Sequence, residues 1–130
     1  MVNPLYLAFF QRYHEQEYWE AHEVLEELWQ TQRDNHFYHG LIQVAAIMHQ
    51  LLRGKVRGAR KLATTAKGYF SPFPSYHEGV DLGSVRQWLD HCLRTLPENI
   101  SFMDPEEVNK LSLSICPLPT PGELRQIHCT

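Results

Sequence analysis

Residues 35–53 read NHFYHGLIQVAAIMHQLLR, and this stretch says most about the architecture. On a helix of this sequence, apolar side chains cover most of the circumference, apart from a narrow strip of histidines and glutamines. A helix that is apolar nearly all round is usually buried at the centre of a domain. The sequence therefore predicts a central helix 3 over about 35–53, with Asp34 as its N-cap and Gly54 after its end.

Amphipathic segments on both sides of helix 3 predict further helices. Helix 1 follows the capping pair Asn3–Pro4, and helix 2 covers about residues 17–31. Helix 4 covers about 55–69, and helix 5 follows a cap at Asp81. No segment alternates with period two, so the predicted fold class is all-α, a compact bundle of about five helices.

The segments after helix 4 contain most of the prolines. SPFPSYHEG at residues 71–79 is predicted as a loop, and one further short helix begins near Asp104. Residues 1–113 then form a single all-helical domain. Residues 114–130, which include CPLPTPG, are predicted as an extended proline-rich tail that lies on the body or docks on a neighbouring molecule.

The composition is that of a globular protein with a small negative charge. The 130 residues suffice for one core, and 43% of them are hydrophobic. A net charge of −3 gives no overall attraction to nucleic acid, and no apolar run is long enough to span a membrane. The first residues lack the pattern of a signal peptide, so a cytoplasmic location is expected. Cys92, Cys116 and Cys129 lack metal-site spacing, which favours free thiols.

A second stretch, EYWEAHEVLEELW at residues 17–29, concentrates side chains that can carry chemistry. On a helical wheel His22 falls on the buried side, and Glu26 lies one turn later at the edge of that side. Glu20 and Glu27 point to solvent. Because an unpaired buried carboxylate is costly, Glu26 needs a partner, and His22 is within reach at i and i+4.

The His22–Glu26 pair is therefore the candidate catalytic pair and also the candidate metal-ligand pair. It offers a proton for general acid–base chemistry, or one nitrogen and one oxygen for a divalent metal. In the structural alternative, the imidazole bonds a carbonyl and the carboxylate bonds an arginine or the backbone. Two metal motifs are absent, because HExxH needs a histidine at Glu26 and helix 2 lacks the Glu-x-x-His of di-iron bundles.

Buried polar residues on helix 3 also need hydrogen-bond partners, which helix 2 can supply. We expect a small-molecule or metal-binding site between helices 2 and 3, beside the catalytic pair. The alternative is a non-catalytic interaction or scaffold module, in which these residues fix helix register and a second copy is the partner. Serine-triad, phosphate-loop and dinucleotide motifs are absent, and whether the protein is an enzyme stays open. The binding residues are Trp19, Glu23, Trp29, Gln43 and His49.

Three blocks of the sequence together resemble a known family. The first block is WEAHEVLEELW at residues 19–29, and the second is GLIQVAAIMH at residues 40–49. The third block is GKVRGARKL at residues 54–62. Their content and order, over about residues 12–70, are similar to the bacterial and archaeal domain of unknown function numbered 309. The resemblance implies a compact all-α domain and no particular activity. The matching signature positions are Trp19, Glu20, His22, Glu23, Glu26, Trp29, Gly40, Gln43 and His49.

Helix 4 and the turn before it are basic, whereas residues 15–34 are acidic. One interpretation is that neighbouring helices present complementary surfaces. The other is an anion or nucleic-acid site on helix 4, which the lack of an interleaved aromatic residue before Tyr69 disfavours. The basic residues are Arg53, Lys55, Arg57, Arg60, Lys61 and Lys67.

Overall fold

The computed structural model describes residues 2–128, with side chains for residues 2–126. Within that range the chain forms seven helices and one small hairpin, so the predicted all-α fold class is confirmed. The five long helices and the short helix α6 after Asp104 are confirmed, and α7 is an addition that the sequence does not predict. The elements are α1 Pro4–His14, α2 Tyr18–Trp29, α3 His36–Leu52, α4 Val56–Phe70, β1 Tyr76–His77, β2 Val80–Asp81, α5 Leu82–Thr95, α6 Pro105–Asn109 and α7 Pro121–His128.

Helix α3 occupies the centre of the bundle. It packs against α2 on one side and α4 on the other, while α1 packs on α2 and α5 on α4. Leu41, Ala45 and Ile47 of α3 are fully buried, although Ala45 and Ile47 point to nearly opposite sides of the helix. Burial around most of the circumference is what the apolar sequence of this helix predicts.

Side-chain caps explain where several helices begin. Asn3 Oδ1 accepts a 2.8 Å hydrogen bond from the Leu5 amide, and Asp81 caps α5 through the Ser84 amide. The predicted cap of α3 at Asp34 is wrong. Asn35 caps α3, because its Oδ1 lies 3.0 Å from the Tyr38 amide nitrogen, at the third helical position where a capping oxygen reaches.

The predicted loop at residues 71–79 contributes a hairpin strand. β1 and β2 pair antiparallel, and the turn between them is formed by Glu78 and Gly79. Their φ angles are +46° and +82°, as in the type I′ turn that joins short antiparallel strands. Strands of two residues are too short to show a period-two pattern, so sequence periodicity does not reveal them.

The prediction of an extended tail over residues 114–130 is only partly correct. Residues 114–120 are not helical, but residues 121–128 form α7. The reason is a capping box at the start of α7: Thr120 Oγ1 accepts from the Glu123 amide, and Glu123 Oε1 accepts from the Thr120 amide. Pro121 occupies the first helical position, where proline favours a helix.

The tail packs on the body of the molecule. Tyr13 Oη donates a 2.8 Å hydrogen bond to the Cys116 carbonyl, and Trp88 Nε1 donates an equally short one to the Ser114 carbonyl. Leu124 of α7 is fully buried, and α7 contacts α1. The domain boundary after residue 113 stays a prediction.

Cys92 and Cys116 are buried free thiols, whereas Cys129 lies outside the described residues. Burial raises the pKa of the Cys92 thiol to about 12, and it raises the pKa of Cys116 well above the ordinary value. Among the described helices, none is long and apolar enough to cross a membrane.

Candidate functional site

Helices α2, α3 and α4 surround a partly open cavity of about 200 Å³. Its position agrees with the expected site between the second and third helices, and α4 adds one wall. The lining residues are His22, Glu26, Trp29, His39, Ile42, Gln43, Ala46 and Leu62.

Helical spacing brings these side chains to one place. On α2, His22, Glu26 and Trp29 stand at positions i, i+4 and i+7, which share one face of a helix. On α3, residues 39, 43 and 46 repeat the same spacing. Leu25 and Leu28 on the neighbouring stripe of α2 are buried in the core, and they fix the rotation of the polar face towards α3.

The cavity collects buried polar atoms that have no hydrogen-bond partner. Within the described residues four side-chain atoms are in this state, and three of them belong to lining residues: His22 Nδ1, Trp29 Nε1 and Gln43 Oε1. Leaving a buried donor or acceptor unsatisfied costs about 1–3 kcal/mol per group. Because buried polar groups are rarely left unpaired, these three atoms are candidates to bond water or another molecule in the cavity.

His22 and Glu26 are adjacent but are not joined by a hydrogen bond. His22 Nδ1 lies 3.6 Å from Glu26 Oε2, beyond normal hydrogen-bond length. The imidazole is largely covered, with 18% of the side chain exposed, whereas 44% of the Glu26 side chain is exposed. Within the described part of the chain no arginine pairs with the Glu26 carboxylate. Both side chains line the cavity, and Glu26 is also open to solvent.

His39 lines the cavity, although the sequence does not predict it as a site residue. Its ring lies between two aromatic rings, with centroid distances of 4.4 Å to Trp29 and 4.3 Å to Tyr69. Burial lowers the pKa of His39, neighbouring His36 lowers it further, and Glu26 opposes both effects. The imidazole is therefore mainly neutral at pH 7. Its one sequence signal is the spacing of four residues from Gln43.

Trp19 and His49 lie beside the cavity and do not line it. The Trp19 ring stacks on the His22 ring at 4.6 Å with an interplanar angle of 8°, and it lies 5.3 Å from the His49 ring. Burial lowers the pKa of His49, and so does nearby Arg53. Glu23 is exposed and stays outside the cavity. The binding roles of these residues stay predictions.

The donor set for a metal in this region is small. Among the residues with described side chains, no group of three or more histidine, cysteine, aspartate or glutamate side chains is arranged to hold a metal ion. His22 and Glu26 offer one nitrogen and one oxygen, so a metal bound there would need further ligands from solvent or substrate.

Comparison with known proteins supports the resemblance seen in the sequence blocks. Residues 6–62 match the model of a family described as "Domain of unknown function (DUF309)". The match covers less than half of the chain, and over this segment the chain is similar to the DUF309 family. The matched segment reaches from α1 into α4 and includes all the residues that line the cavity.

The DUF309 family match is accompanied by one relative without an assigned function. An uncharacterized protein of Aquifex aeolicus (strain VF5) is 28% identical over 82 residues, which are 61% of this chain and 25% of that protein. The chain thus spans about a quarter of the length of this relative. No solved structure matches the chain.

Proposed function

We propose that this protein binds a small planar organic ligand in the cavity between α2, α3 and α4. The observation that carries the proposal is the set of three buried, unpartnered polar atoms on lining residues. A suitable ligand accepts a hydrogen bond from Trp29 Nε1–H and donates one to Gln43 Oε1. Both requirements are met by an amide or a heteroaromatic ring with adjacent donor and acceptor atoms.

The walls of the cavity restrict the ligand further. Trp29 and His39 offer aromatic surfaces, and Ile42 and Leu62 offer apolar ones, which suits a flat molecule. No lysine or arginine lines the cavity, and Glu26 stands at its edge. A neutral or cationic ligand is therefore favoured over an anion, because a carboxylate repels negative charge.

The His22–Glu26 pair gives this site a capacity for proton transfer. The carboxylate is 3.6 Å from the imidazole and remains open to solvent, so protons can reach the pair. A ligand bound beside His22 could exchange a proton with it as in general acid–base catalysis. Binding is the primary function proposed, and catalysis would require a second step that uses this pair.

The alternative of a purely structural network requires closed and fully hydrogen-bonded side chains. The opening of the cavity and its unpartnered atoms favour a ligand site instead. A bound divalent metal remains the third candidate, with His22 and Glu26 as its protein ligands and the rest of its coordination from ligand or water.

An NMR titration that follows the indole N–H resonances of the tryptophans tests ligand binding directly. Uracil, nicotinamide and benzamide are the compounds added. Trp29 Nε1 has no partner within the described residues, whereas Trp88 Nε1 is bonded to the Ser114 carbonyl and serves as an internal reference. At least one probe should shift the Trp29 resonance and leave Trp88 unchanged. Gln43→Leu should abolish the shift, and Gln87→Leu on the surface of α5 should not. No shift with any probe would count against planar amide ligands.

Elemental analysis of the purified protein tests the metal candidate. Stoichiometric metal in the native chain, lost in Glu26→Gln and retained in the matched exposed variant Glu27→Gln, would assign a metal to the His22–Glu26 pair. Metal content equal in both variants would remove that assignment.

A further inference from the structure

A second cavity, of about 400 Å³, lies between the C-terminal part of α3, the start of α4 and the loop before α6. Gln50 lines it, seven residues after Gln43, so the two cavities lie about two turns apart along the same face of α3. No residue lines both cavities. The residues that line the second cavity are Gln50, Lys55, Arg57, Gly58, Lys61, Ser101 and Phe102.

The cavity is positively charged. Lys55, Arg57 and Lys61 line it, and within the described side chains none of the three lies within 4.0 Å of a carboxylate oxygen. Other basic residues of α4 have partners on or just after α5: Arg60 Nη1 donates to the carbonyls of residues 93 and 96, and Lys67 pairs with Asp90. The basic run therefore has a structural part and a part that faces this cavity.

An aromatic side chain borders the same basic surface. Phe102 is 69% exposed, so its ring is available for contact. The loop that carries it is attached to the turn between α3 and α4, because the Met103 amide donates to the Gly54 carbonyl at 2.8 Å and the Arg57 amide donates to the Ser101 carbonyl at 3.3 Å. Residues 53–67 of the basic run contain no aromatic residue, and Phe102 reaches this surface from a loop that is distant in the sequence.

The second cavity also contains a buried hydrogen-bond acceptor, beside its basic side chains and its aromatic ring. Gln50 Oε1 is buried and has no hydrogen-bond partner within the described residues. A Cβ at position 58 would lie 3.4 Å from Gln50 Nε2, so the glycine leaves room for the amide beside the start of α4. A ligand that donates a hydrogen bond would satisfy the amide oxygen.

We propose that this cavity binds a phosphate ester with a flat heteroaromatic ring, in the form of a free nucleoside monophosphate. Lys55, Arg57 and Lys61 attract the phosphate, because the described chain gives them no carboxylate partner. Phe102 stacks on the ring, and Gln50 Oε1 accepts from an amino group on it. The cavity volume lies in the range of about 300–1,000 Å³ that is usual for small-molecule sites.

Binding of adenosine monophosphate, measured by isothermal titration calorimetry at low salt, tests this proposal. Phe102→Ala should weaken binding about fivefold or more, because stacking is lost. Tyr76→Ala is the matched control, since Tyr76 is also an exposed aromatic residue but lies outside this cavity. The double variant Arg57→Gln, Lys61→Gln should weaken binding about threefold or more and reduce its salt dependence, while Lys110→Gln should not.

Ligand fragments distinguish the source of affinity. Inorganic phosphate and adenosine should each bind at least about tenfold more weakly than adenosine monophosphate, since each satisfies only part of the site. Absence of binding at millimolar nucleotide would overturn the proposal, as would equal losses in Phe102→Ala and Tyr76→Ala. A phosphorylated oligoadenylate that binds far more tightly than the mononucleotide would overturn the assignment to a free nucleotide. None of these outcomes depends on the first cavity, so the two proposals can fail separately.

Discussion

Gln43 shows how one side chain separates a binding site from a structural network. Its amide oxygen is buried beside the α2–α3–α4 cavity without a hydrogen-bond partner. In a structural network such an atom would stabilise the fold through its bonds. In a binding site without its ligand, an unpaired amide oxygen lowers the stability of the fold, and this cost is offset when the ligand bonds it.

Replacing Gln43 by leucine should therefore leave the free energy of unfolding unchanged or raise it by up to about 1–2 kcal/mol, because an unsatisfied buried acceptor is removed. Urea denaturation followed by circular dichroism measures this change. Gln87→Leu on the exposed surface of α5 is the control for the change in side-chain type. A loss of more than about 1 kcal/mol would show that Gln43 makes stabilising bonds and would favour the structural network.

For single residues, the sequence predicts which side of a helix a side chain faces better than it predicts how deeply the side chain is buried. A helical wheel places His22 and Glu26 on the side of α2 that faces α3, and the structure has them lining one cavity. The wheel does not show that Trp19 covers His22 from outside, or that Glu23 stays in solvent. His39 is missed because its environment depends on Tyr69, which is thirty residues away on α4.

Contact between α3 and α4 depends on the glycine at position 40. A Cβ on Gly40 would lie 2.5 Å from Phe70 Cε1, and Phe70 is fully buried. Because the phenyl ring is enclosed by the core, it has little room to move. This close approach gives a physical reason for the glycine at this position, which lies in the segment that resembles the DUF309 family.

Gly40→Ala should lower the free energy of unfolding by about 1–3 kcal/mol, because the added methyl group overpacks the α3–α4 interface. Gly68→Ala on α4 is the matched control, since a Cβ there meets nothing within 4 Å. That control should be neutral or stabilising by up to about 1 kcal/mol, through the helix propensity of alanine. Chemical denaturation of both variants measures the difference. Equal stability of the two would mean that Phe70 yields without cost.

The elements themselves are largely predictable from local signals. Amphipathic spacing and caps such as Asn3 and Asp81 identify the five long helices, because these signals act within a few residues. The sequence does not predict helix α7, because the prolines before it indicate an extended tail, although Thr120 and Glu123 form a capping box around Pro121. The two strands that flank the Glu78–Gly79 turn have two residues each, which is too short for an alternating hydrophobic pattern.

At the scale of the whole molecule, the tail is the part that local signals describe least. Residues 114–120 are held by contacts with α1 and α5, which lie far away in the sequence. Hydrogen bonds between residues 103 positions apart leave no local pattern. Self-association with a second copy and a cytoplasmic location stay predictions, and sedimentation analysis of the purified chain measures the first.

The bond from Tyr13 to the Cys116 carbonyl ties the tail to α1. Burial raises the pKa of Tyr13 above its ordinary value, so the hydroxyl remains a protonated donor throughout the neutral range. The Cys116 thiol is also buried and has a raised pKa, which makes it unreactive while the tail stays docked. Reaction of Cys116 with an alkylating reagent therefore reports opening of the tail.

Tyr13→Phe should speed the labelling of Cys116 by iodoacetamide about fivefold, because loss of one hydrogen bond of about 1 kcal/mol favours the open state by that factor. Mass spectrometry of the labelled peptides separates Cys116 from the other cysteines. Tyr18→Phe is the control, since Tyr18 is buried but its hydroxyl makes no hydrogen bond within the described residues. If both variants label Cys116 at the native rate, the docking of the tail does not depend on this hydrogen bond. The tail is then held by its other contacts, such as the Trp88–Ser114 hydrogen bond and the buried Leu118 and Leu124.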